Sequence, residues 1–369
     1  MLVFVAVSLL GGVSSLPATE AEDAWPMFRA NGLSQGVASK PLPPPLKLRW
    51  RFKVADGAFE STPTIVGELA FIADLDGSVF ALNLKTGKPS WTFKSEIGFA
   101  TAAAFREGRL YLGDLDGLLR CLDAKTGKEL WNFRSEAEIN SSVSFYKESV
   151  LFGSQDATLY CLDAKKGTLI WKHMIADQIR CMPTVVEDRA FVAGCDGFFH
   201  LVDVASGKEA GSVAIDSPTG ATPAVLDDLV YFGTEGGVFF ALDWKKKKTV
   251  WRFQDDRSGL PFRASAAVRK DQVVFAGHDK RVRSVDPKTG ELKWEFVAKS
   301  RLEASPVLAG KTVWVGTSRG RLLALDSDHG KLQWEYECQG GLIGSPAVAR
   351  GVLVVATDRG VVYCFEPRK

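Results

Sequence analysis

The feature that most constrains this chain is an eleven-residue pattern that returns about every forty residues. It reads CLDAKTGKELW at Cys121–Trp131 and CLDAKKGTLIW at Cys161–Trp171. The last position of the pattern is tryptophan in every repeat except one, where Gly211 replaces it. A period of this length is typical of architectures that copy one supersecondary unit. Seven of the ten tryptophans occupy this position of the repeat. They are the expected docking residues between units: Trp50, Trp91, Trp131, Trp171, Trp251, Trp294 and Trp334.

Each repeat contains four short extended runs. In the unit after Trp91 they read TAAAF, RLYLGD, LLRCLD and ELWNFR, which are rich in β-forming residues and separated by turn residues. No window has a helical period long enough to compete with this assignment. Four such strands and their turns fill the repeat, so each unit predicts one four-stranded blade of a β-propeller.

The number of third strands gives the number of blades. The last unit stops before its fourth strand, whereas Trp50 stands before the first complete unit. Leu46–Lys53 can therefore complete the last blade and remove an open sheet edge. The predicted fold is all-β, a closed eight-bladed propeller. Its third strands end at Asn83, Asp123, Asp163, Asp203, Asp243, Asp286, Asp326 and Glu366.

The turn residues of the repeat have physical reasons. The Asp carboxylate can accept hydrogen bonds from the backbone N–H groups that follow it, as in an Asx-turn. The glycine four residues before the tryptophan supplies the positive φ of a tight hairpin, and Lys247 is its one replacement. The tryptophan can pack on the neighbouring blade and needs an acceptor for its indole N–H. We therefore expect the pattern to encode a hairpin and an interblade contact.

The in-phase unit A-x-D-x-x-T-G-x-x-x-W resembles the tryptophan-docking repeat of the pyrroloquinoline quinone (PQQ)-like β-propeller family over about Leu46–Lys369. WD40 repeats are disfavoured because no Trp-Asp pair ends the third strand. The resemblance implies one of two branches. One branch contains quinoprotein dehydrogenases, which bind PQQ and Ca²⁺. The other contains non-enzymatic scaffolds, including BamB-like outer-membrane-protein assembly factors and many exported proteins.

The N-terminal segment differs from the repeats. Leu2–Leu10 is an apolar run followed by small residues, as in a secretory signal, although a basic n-region is missing. We expect residues 1–21 to be a signal or apolar segment, 22–45 an extended proline-rich lead-in, and 46–369 the propeller. These features predict an extracytoplasmic, periplasmic or secreted protein. The run is too short for a membrane span.

Composition excludes several function classes. The net charge of +2 argues against a nucleic-acid partner. The six cysteines form no CxxC motif and the four histidines lack metal-ligand spacing, which disfavours zinc and haem. No His, Ser and Asp set indicates a nucleophilic triad. Catalytic and metal-binding residues are therefore both expected to be absent.

Ligand candidates lie where the units differ, at the mouth of the central channel. Aligned on the tryptophans, the loops before the innermost strands bring Asn140, Arg180, Arg263, Glu303 and Glu60 to this mouth. Two arginines can hold an anionic group. Alternatively, they pair with Glu303 or Glu60 and line a wet channel. The loop Gln254–Arg263 is three residues longer than its counterparts and is the best position for specificity.

The sequence predicts a non-catalytic, exported, monomeric scaffold that binds other proteins of the cell envelope. It carries none of the vicinal cysteines or large interblade insertions found in several dehydrogenases of the family. We therefore expect no cofactor. PQQ with Ca²⁺ in a dehydrogenase-like protein, or a small-ligand sensor without turnover, remain the alternatives.

Overall fold

A computed structural model describes residues 23–368, so the predicted signal segment lies outside the described residues. These residues contain strands and turns, arranged as eight four-stranded antiparallel sheets. The predicted eight-bladed propeller is confirmed. No helix in this part of the chain has the length and apolarity needed to cross a membrane.

The first four blades follow chain order from the innermost strand outward. Blade 1 comprises β2 (Thr64–Val66), β3 (Leu69–Ala73), β4 (Ser78–Asn83) and β5 (Pro89–Lys94). Blade 2 comprises β6 (Ala104–Arg106), β7 (Arg109–Gly113), β8 (Leu118–Asp123) and β9 (Glu129–Arg134). Blade 3 comprises β10 (Ser144–Tyr146), β11 (Ser149–Gly153), β12 (Thr158–Asp163) and β13 (Leu169–Met174). Blade 4 comprises β14 (Thr184–Val186), β15 (Arg189–Ala193), β16 (Phe198–Asp203) and β17 (Glu209–Ala214).

The remaining blades repeat this order. Blade 5 comprises β18 (Ala224–Leu226), β19 (Leu229–Gly233), β20 (Val238–Asp243) and β21 (Lys248–Gln254). Blade 6 comprises β22 (Ala267–Arg269), β23 (Gln272–Ala276), β24 (Arg281–Val285) and β25 (Leu292–Val297). Blade 7 comprises β26 (Val307–Ala309), β27 (Thr312–Gly316), β28 (Arg321–Asp326) and β29 (Leu332–Glu337). Blade 8 comprises β30 (Ala347–Ala349), β31 (Val352–Ala356) and β32 (Val361–Pro367), completed by β1 (Leu46–Lys53).

The ring closes through the two ends of the propeller sequence, as predicted. β1 pairs antiparallel with β32, from Leu46 opposite Pro367 to Lys53 opposite Val361. Blade 8 is thereby built from both ends of the propeller sequence, so its pairing is non-local. Such a closure leaves no blade with a missing outer strand.

A bulge precedes the tryptophan position in every blade. In blade 3, Cys161 pairs with Trp171 and Leu162 pairs with Leu169, so Ile170 is the extra residue. The same register shift occurs between the third and fourth strands of all eight blades. The extra residue twists the outermost strand. It stands directly before the tryptophan position in each repeat.

The tryptophans dock blade to blade on the turn glycines. The Trp171 ring lies so close to Gly207 of blade 4 that an added Cβ would be 2.7 Å from it. Gly207 has a φ of +70°, which glycine adopts without strain. Six of the indole N–H groups donate to a backbone carbonyl of the next blade at 2.8–3.2 Å, those of Trp50, Trp91, Trp131, Trp171, Trp251 and Trp294.

The lead-in segment crosses the central channel. Its carbonyls accept hydrogen bonds from the middle residue of five innermost strands, which belong to blades 1, 2, 5, 6 and 7. These donors are Ile65, Phe105, Val225, Val268 and Leu308. The inner edges of the blades would otherwise leave these N–H groups unpaired. Residues 25–36 therefore act as a plug, which we call the arm.

Arg29 fixes the arm between two blades. Its Nη2 donates to the carbonyls of Ala266 in blade 6 and Pro306 in blade 7, at 2.8 and 2.6 Å. The side chain is fully buried. Burial without an acidic partner lowers the pKa of Arg29 to about 9. Past the arm, the indole N–H of Trp314 donates to the Leu42 carbonyl at 3.2 Å and anchors the proline-rich stretch.

Candidate functional site

The channel mouth opposite the arm is a cavity of about 180 Å³, which we call the well. Its walls are the residues that lead into the eight innermost strands, and Phe28 of the arm also lines it. The arm bonds to the middle of these strands, one level further along the channel. The well is therefore open at one end and closed by the chain itself at the other.

The five predicted ligand candidates all line the well: Asn140, Arg180, Arg263, Glu303 and Glu60. Their charges are not evenly distributed around the ring. The arginines come from blades 4 and 6, and the glutamates from blades 7 and 1. The corresponding positions of blades 2, 5 and 8 carry Ala100, Gly220 and Ile343. The mouth thus has a cationic side and an anionic side. Whether it binds a ligand stays a prediction.

The charged candidates make different pairs from those expected. Arg263 Nε donates to both carboxylate oxygens of Glu235, at 2.9 and 3.0 Å. Arg180 donates from Nε and Nη2 to the neutral Gln178 Oε1, at 3.0 and 2.6 Å. Neither arginine forms an ion pair with Glu303 or Glu60, because each takes the nearest acceptor on its own or the adjacent loop.

Two of the other three polar candidates also have neighbours within the molecule. Glu303 Oε2 lies 2.8 Å from His278 Nε2, which is on the loop between the second and third strands of blade 6. Asn140 Nδ2 donates to Glu138 Oε2 at 3.2 Å. Glu60 is exposed. It takes the blade 1 position because Phe59, its predecessor, is fully buried in the core.

Below the charged mouth runs a series of hydroxyl groups that sequence reasoning missed. Each accepts a hydrogen bond from the backbone N–H of the equivalent residue in the preceding blade, at 2.9–3.0 Å. The acceptors are Thr222, Ser265, Ser305, Ser345 and Thr62. The series stops at Ala102 and Met182, which have no hydroxyl. The available signal was the recurrence of Ser or Thr two positions after the mouth residue in most repeats.

The extended loop has a structural role. It carries Asp255 to the fully buried guanidinium of Arg283, which also contacts Asp279 and lies 3.1 Å from Glu295. Hydrogen bonds from Arg257, with further help from Arg283, hold the pKa of Asp255 well below its usual range. The insertion therefore supplies one of the carboxylates around a buried cation in blade 6. Only its last residue, Arg263, lines the well.

The residues of the well do not fit a calcium–quinone pair. Ca²⁺ takes six to eight oxygen ligands. In residues 23–368 no group of three or more His, Cys, Asp or Glu side chains is placed to hold a metal ion. Asp74 and Asp114, at two inner turns, instead accept backbone N–H bonds of their own turns at 2.7–3.1 Å. The cavity is also below the roughly 300 Å³ at which pockets for drug-sized ligands begin.

Comparison with solved structures shows a shared fold. BamB from Moraxella catarrhalis superposes with a TM-score of 0.75 at 19% identity, covering 87% of this chain and all of that one. Quinohemoprotein alcohol dehydrogenase from Comamonas testosteroni gives 0.80 at 15% identity, covering 95% and 83%. The computationally designed Ika8 protein gives 0.78 at 17% identity, covering 87% and 99%. At these identities the similarity establishes the fold alone.

Family membership follows from the sequence itself. No curated protein matches the chain significantly. The family model described as outer membrane protein assembly factor BamB matches residues 46–112, 94–175 and 155–366, which together span the propeller from β1 to β32. The predicted PQQ-like, BamB-like repeat family is thereby confirmed, and the chain belongs to the family of the outer membrane protein assembly factor BamB.

Proposed function

We propose that this protein is an exported, non-catalytic scaffold that binds other proteins of the cell envelope, in outer-membrane protein assembly. The family description names an assembly factor, and BamB is among the solved structures with this fold. The apolar run Leu2–Leu10 supports export because it resembles a secretory signal. The proposed partner-binding surface is the rim of the propeller, which is formed by the outermost strands of the blades.

The observation that carries the proposal is the apolar rim. Among residues 23–368, eleven large apolar side chains are exposed, and all but Phe198 and Leu260 lie on outermost strands. Apolar side chains clustered at a surface mark protein-binding sites. The outermost-strand set is Leu48, Leu130, Leu169, Ile170, Met174, Val250, Leu292, Val297 and Leu332.

Blade 3 concentrates these side chains on one strand. Leu169, Ile170 and Met174 of β13 are 46%, 53% and 67% exposed. Because the fourth strand of each blade is the last in its sheet order, its outer backbone groups face no further strand of the same sheet. An apolar outer strand with free backbone groups suits an extended segment of a partner protein.

The well supports a binding role over a catalytic one. Arg263 is paired with Glu235, and Glu303 lies 2.8 Å from His278, so these two side chains face groups of the protein rather than each other across the cavity. The arm closes the channel behind them. Similarity to quinohemoprotein alcohol dehydrogenase, at 15% identity, establishes the fold alone.

The test is partner capture from solubilised cell envelope with the tagged full chain. We expect the wild type to retain one or more envelope proteins that the double variant Ile170→Lys, Met174→Lys does not. Ala214→Lys, at the position of Met174 in blade 4, is the matched control and should retain them. Identical captures by the wild type and the double variant, with unfolding curves unchanged, would contradict the proposal.

The dehydrogenase alternative has its own test. Titration of the full chain with PQQ in the presence of Ca²⁺, followed by quinone absorbance, should show no saturation. Saturable binding together with alcohol-dependent dye reduction would replace the scaffold proposal with the quinoprotein one.

A further inference from the structure

We infer that the well is a binding site for a small oxyanion, a carboxylate or a phosphate group. The site combines the hydroxyl series from blades 5, 6, 7, 8 and 1 with the arginines of blades 4 and 6. The inference does not depend on the protein partner proposed for the rim, because the two surfaces consist of different residues.

The hydroxyl series presents donors without acceptors. A Ser or Thr hydroxyl has one O–H donor besides its acceptor lone pairs. The oxygens of Thr222, Ser265, Ser305, Ser345 and Thr62 each accept one backbone N–H. None of their O–H groups donates to another atom of residues 23–368, although the five residues are only 2–4% exposed. Because each oxygen already accepts a backbone N–H, its own O–H proton remains free to donate to a ligand in the cavity.

The hydrogen bonds from the backbone make these hydroxyls stronger donors to an anion. Each N–H bond donates into the hydroxyl oxygen, and hydrogen bonds in chains strengthen one another. A ligand oxygen that accepts from such hydroxyls receives donors held in place by five interblade contacts. Little reorganisation is then needed on binding, which reduces its entropic cost.

The arginines supply the charge. Arg180 is exposed and its side-chain partner, Gln178, is neutral, so its positive charge is not compensated by that contact. Arg263 shares its charge with Glu235. They stand on either side of blade 5, whose mouth position is Gly220. A Cβ there would lie 3.3 Å from Arg180 Cβ, so the glycine makes room for the arginine side chain. Guanidinium groups bind carboxylate and phosphate oxygens in a bidentate manner.

Cavity size and the acidic side of the mouth limit the ligand. About 180 Å³ suits a single charged group rather than a large cofactor. Glu303 and Glu60, on blades 7 and 1, reduce the positive potential and disfavour polyanions. Glu303 is itself held near His278. The site therefore matches a monoanionic or dianionic group that enters on the arginine side and reaches the hydroxyls beneath.

The test is calorimetric titration of the full chain with inorganic phosphate and, separately, with acetate. We expect saturable binding of at least one ion, weakened roughly tenfold by Arg180→Gln, since a lost charged hydrogen bond has about this effect. Arg180→Lys should bind with intermediate affinity. Arg134→Gln, which removes an exposed arginine paired with Asp116 on blade 2, should leave binding unchanged.

A second pair of variants tests the hydroxyls. Ser305→Ala should weaken binding, and because it also removes an interblade hydrogen bond its unfolding curve is recorded in parallel. Ala102→Ser adds a hydroxyl where the series is interrupted and should strengthen binding. Phosphate-only binding would identify a phosphate ligand, and acetate binding a carboxylate. Absence of saturation with both ions, or affinities indifferent to Arg180→Gln, would overturn the inference.

Discussion

Blades 3 and 4 have the same strand lengths but hold their next neighbour in different ways. Blade 3 docks on blade 4 through Trp171, which packs on Gly207 and donates to the Val204 carbonyl at 2.9 Å. Blade 4 carries Gly211 at the tryptophan position, and blade 5 carries Lys247 at the glycine position. A Cβ on Gly211 would lie 2.6 Å from Lys247 Nζ, so the lysine fills the space of the missing indole.

This exchange is a compensated pair. Lys247 Nζ donates to the carbonyl of Ala210, across the interface between blades 4 and 5. Trp244, from the blade 5 hairpin, packs on Phe191 of blade 4 with ring centroids 5.3 Å apart. The comparison shows that one backbone geometry accepts two side-chain solutions. Differences between repeats are therefore of two kinds. Some maintain a contact between blades by other side chains, and others change the side chains exposed at the surface of the ring.

Removing the tryptophan of the regular contact should have the largest effect. Trp171→Ala deletes a large, partly buried side chain and its hydrogen bond, and we expect a loss of about 3 kcal/mol in the free energy of unfolding. Chemical denaturation of the full chain measures it. A loss below about 1 kcal/mol, the centre of the distribution for point substitutions in general, would show that the docking contact does not hold the blades.

Substitution of the glycine in the same contact should have the second-largest effect on the free energy of unfolding. Gly207→Ala places a Cβ 2.7 Å from the Trp171 ring at a φ of +70°. We expect it to cost about 1–3 kcal/mol of unfolding free energy, as overpacking does. Combining it with Trp171→Ala should remove most of the added cost, because the clash disappears. Additive effects in the double variant would contradict the claim that the cost of Gly207→Ala comes from its contact with the Trp171 ring.

The exceptional contact can be converted to the regular one. Gly211→Trp alone should destabilise, because the indole meets the Lys247 side chain. With Lys247→Gly, we expect the pair to recover about 1–2 kcal/mol relative to additivity, within the usual range for touching residues. A double-mutant cycle in denaturation measures this coupling. Zero coupling would mean that the two exceptions are unrelated.

The smallest effect on stability is expected in the well. Arg180 of blade 4 replaces Asn140 of blade 3 at the mouth, and its exposed side chain bonds only locally. Arg180→Asn should change the free energy of unfolding by less than about 0.5 kcal/mol, as exposed substitutions do. Thermal unfolding in parallel with the wild type detects a larger change, which would give this position a structural role.

Much of this fold could be predicted because its determinants are local and repeated. The Asp, Gly and Trp of the repeat act within one hairpin and its neighbour, so their in-phase recurrence along the chain specifies the ring. The same alignment brought Arg180 and Arg263 to one cavity. The ring closure followed from counting strands, since only Leu46–Lys53 could complete blade 8.

The remaining features depend on contacts between distant positions. The hydroxyl series is held by bonds from one blade to the next, such as Ser345 N–H to Thr62, which no single repeat displays. The arm has no periodicity, so its path across five inner strands could not be predicted from its residues. Lys247 and Gly211 looked like separate exceptions, because their contact exists only between assembled blades.

The outer edges of blades 3 and 4 allow the most direct test of the scaffold account. A photo-cross-linking side chain in place of Met174 sits on the apolar strand, and one in place of Ala214 sits at the equivalent position of a strand without large exposed apolar side chains. The full-length proteins, expressed in cells and irradiated, should form envelope-protein adducts from position 174 and not from position 214. Equal adducts from both positions, or none from position 174, would contradict the account.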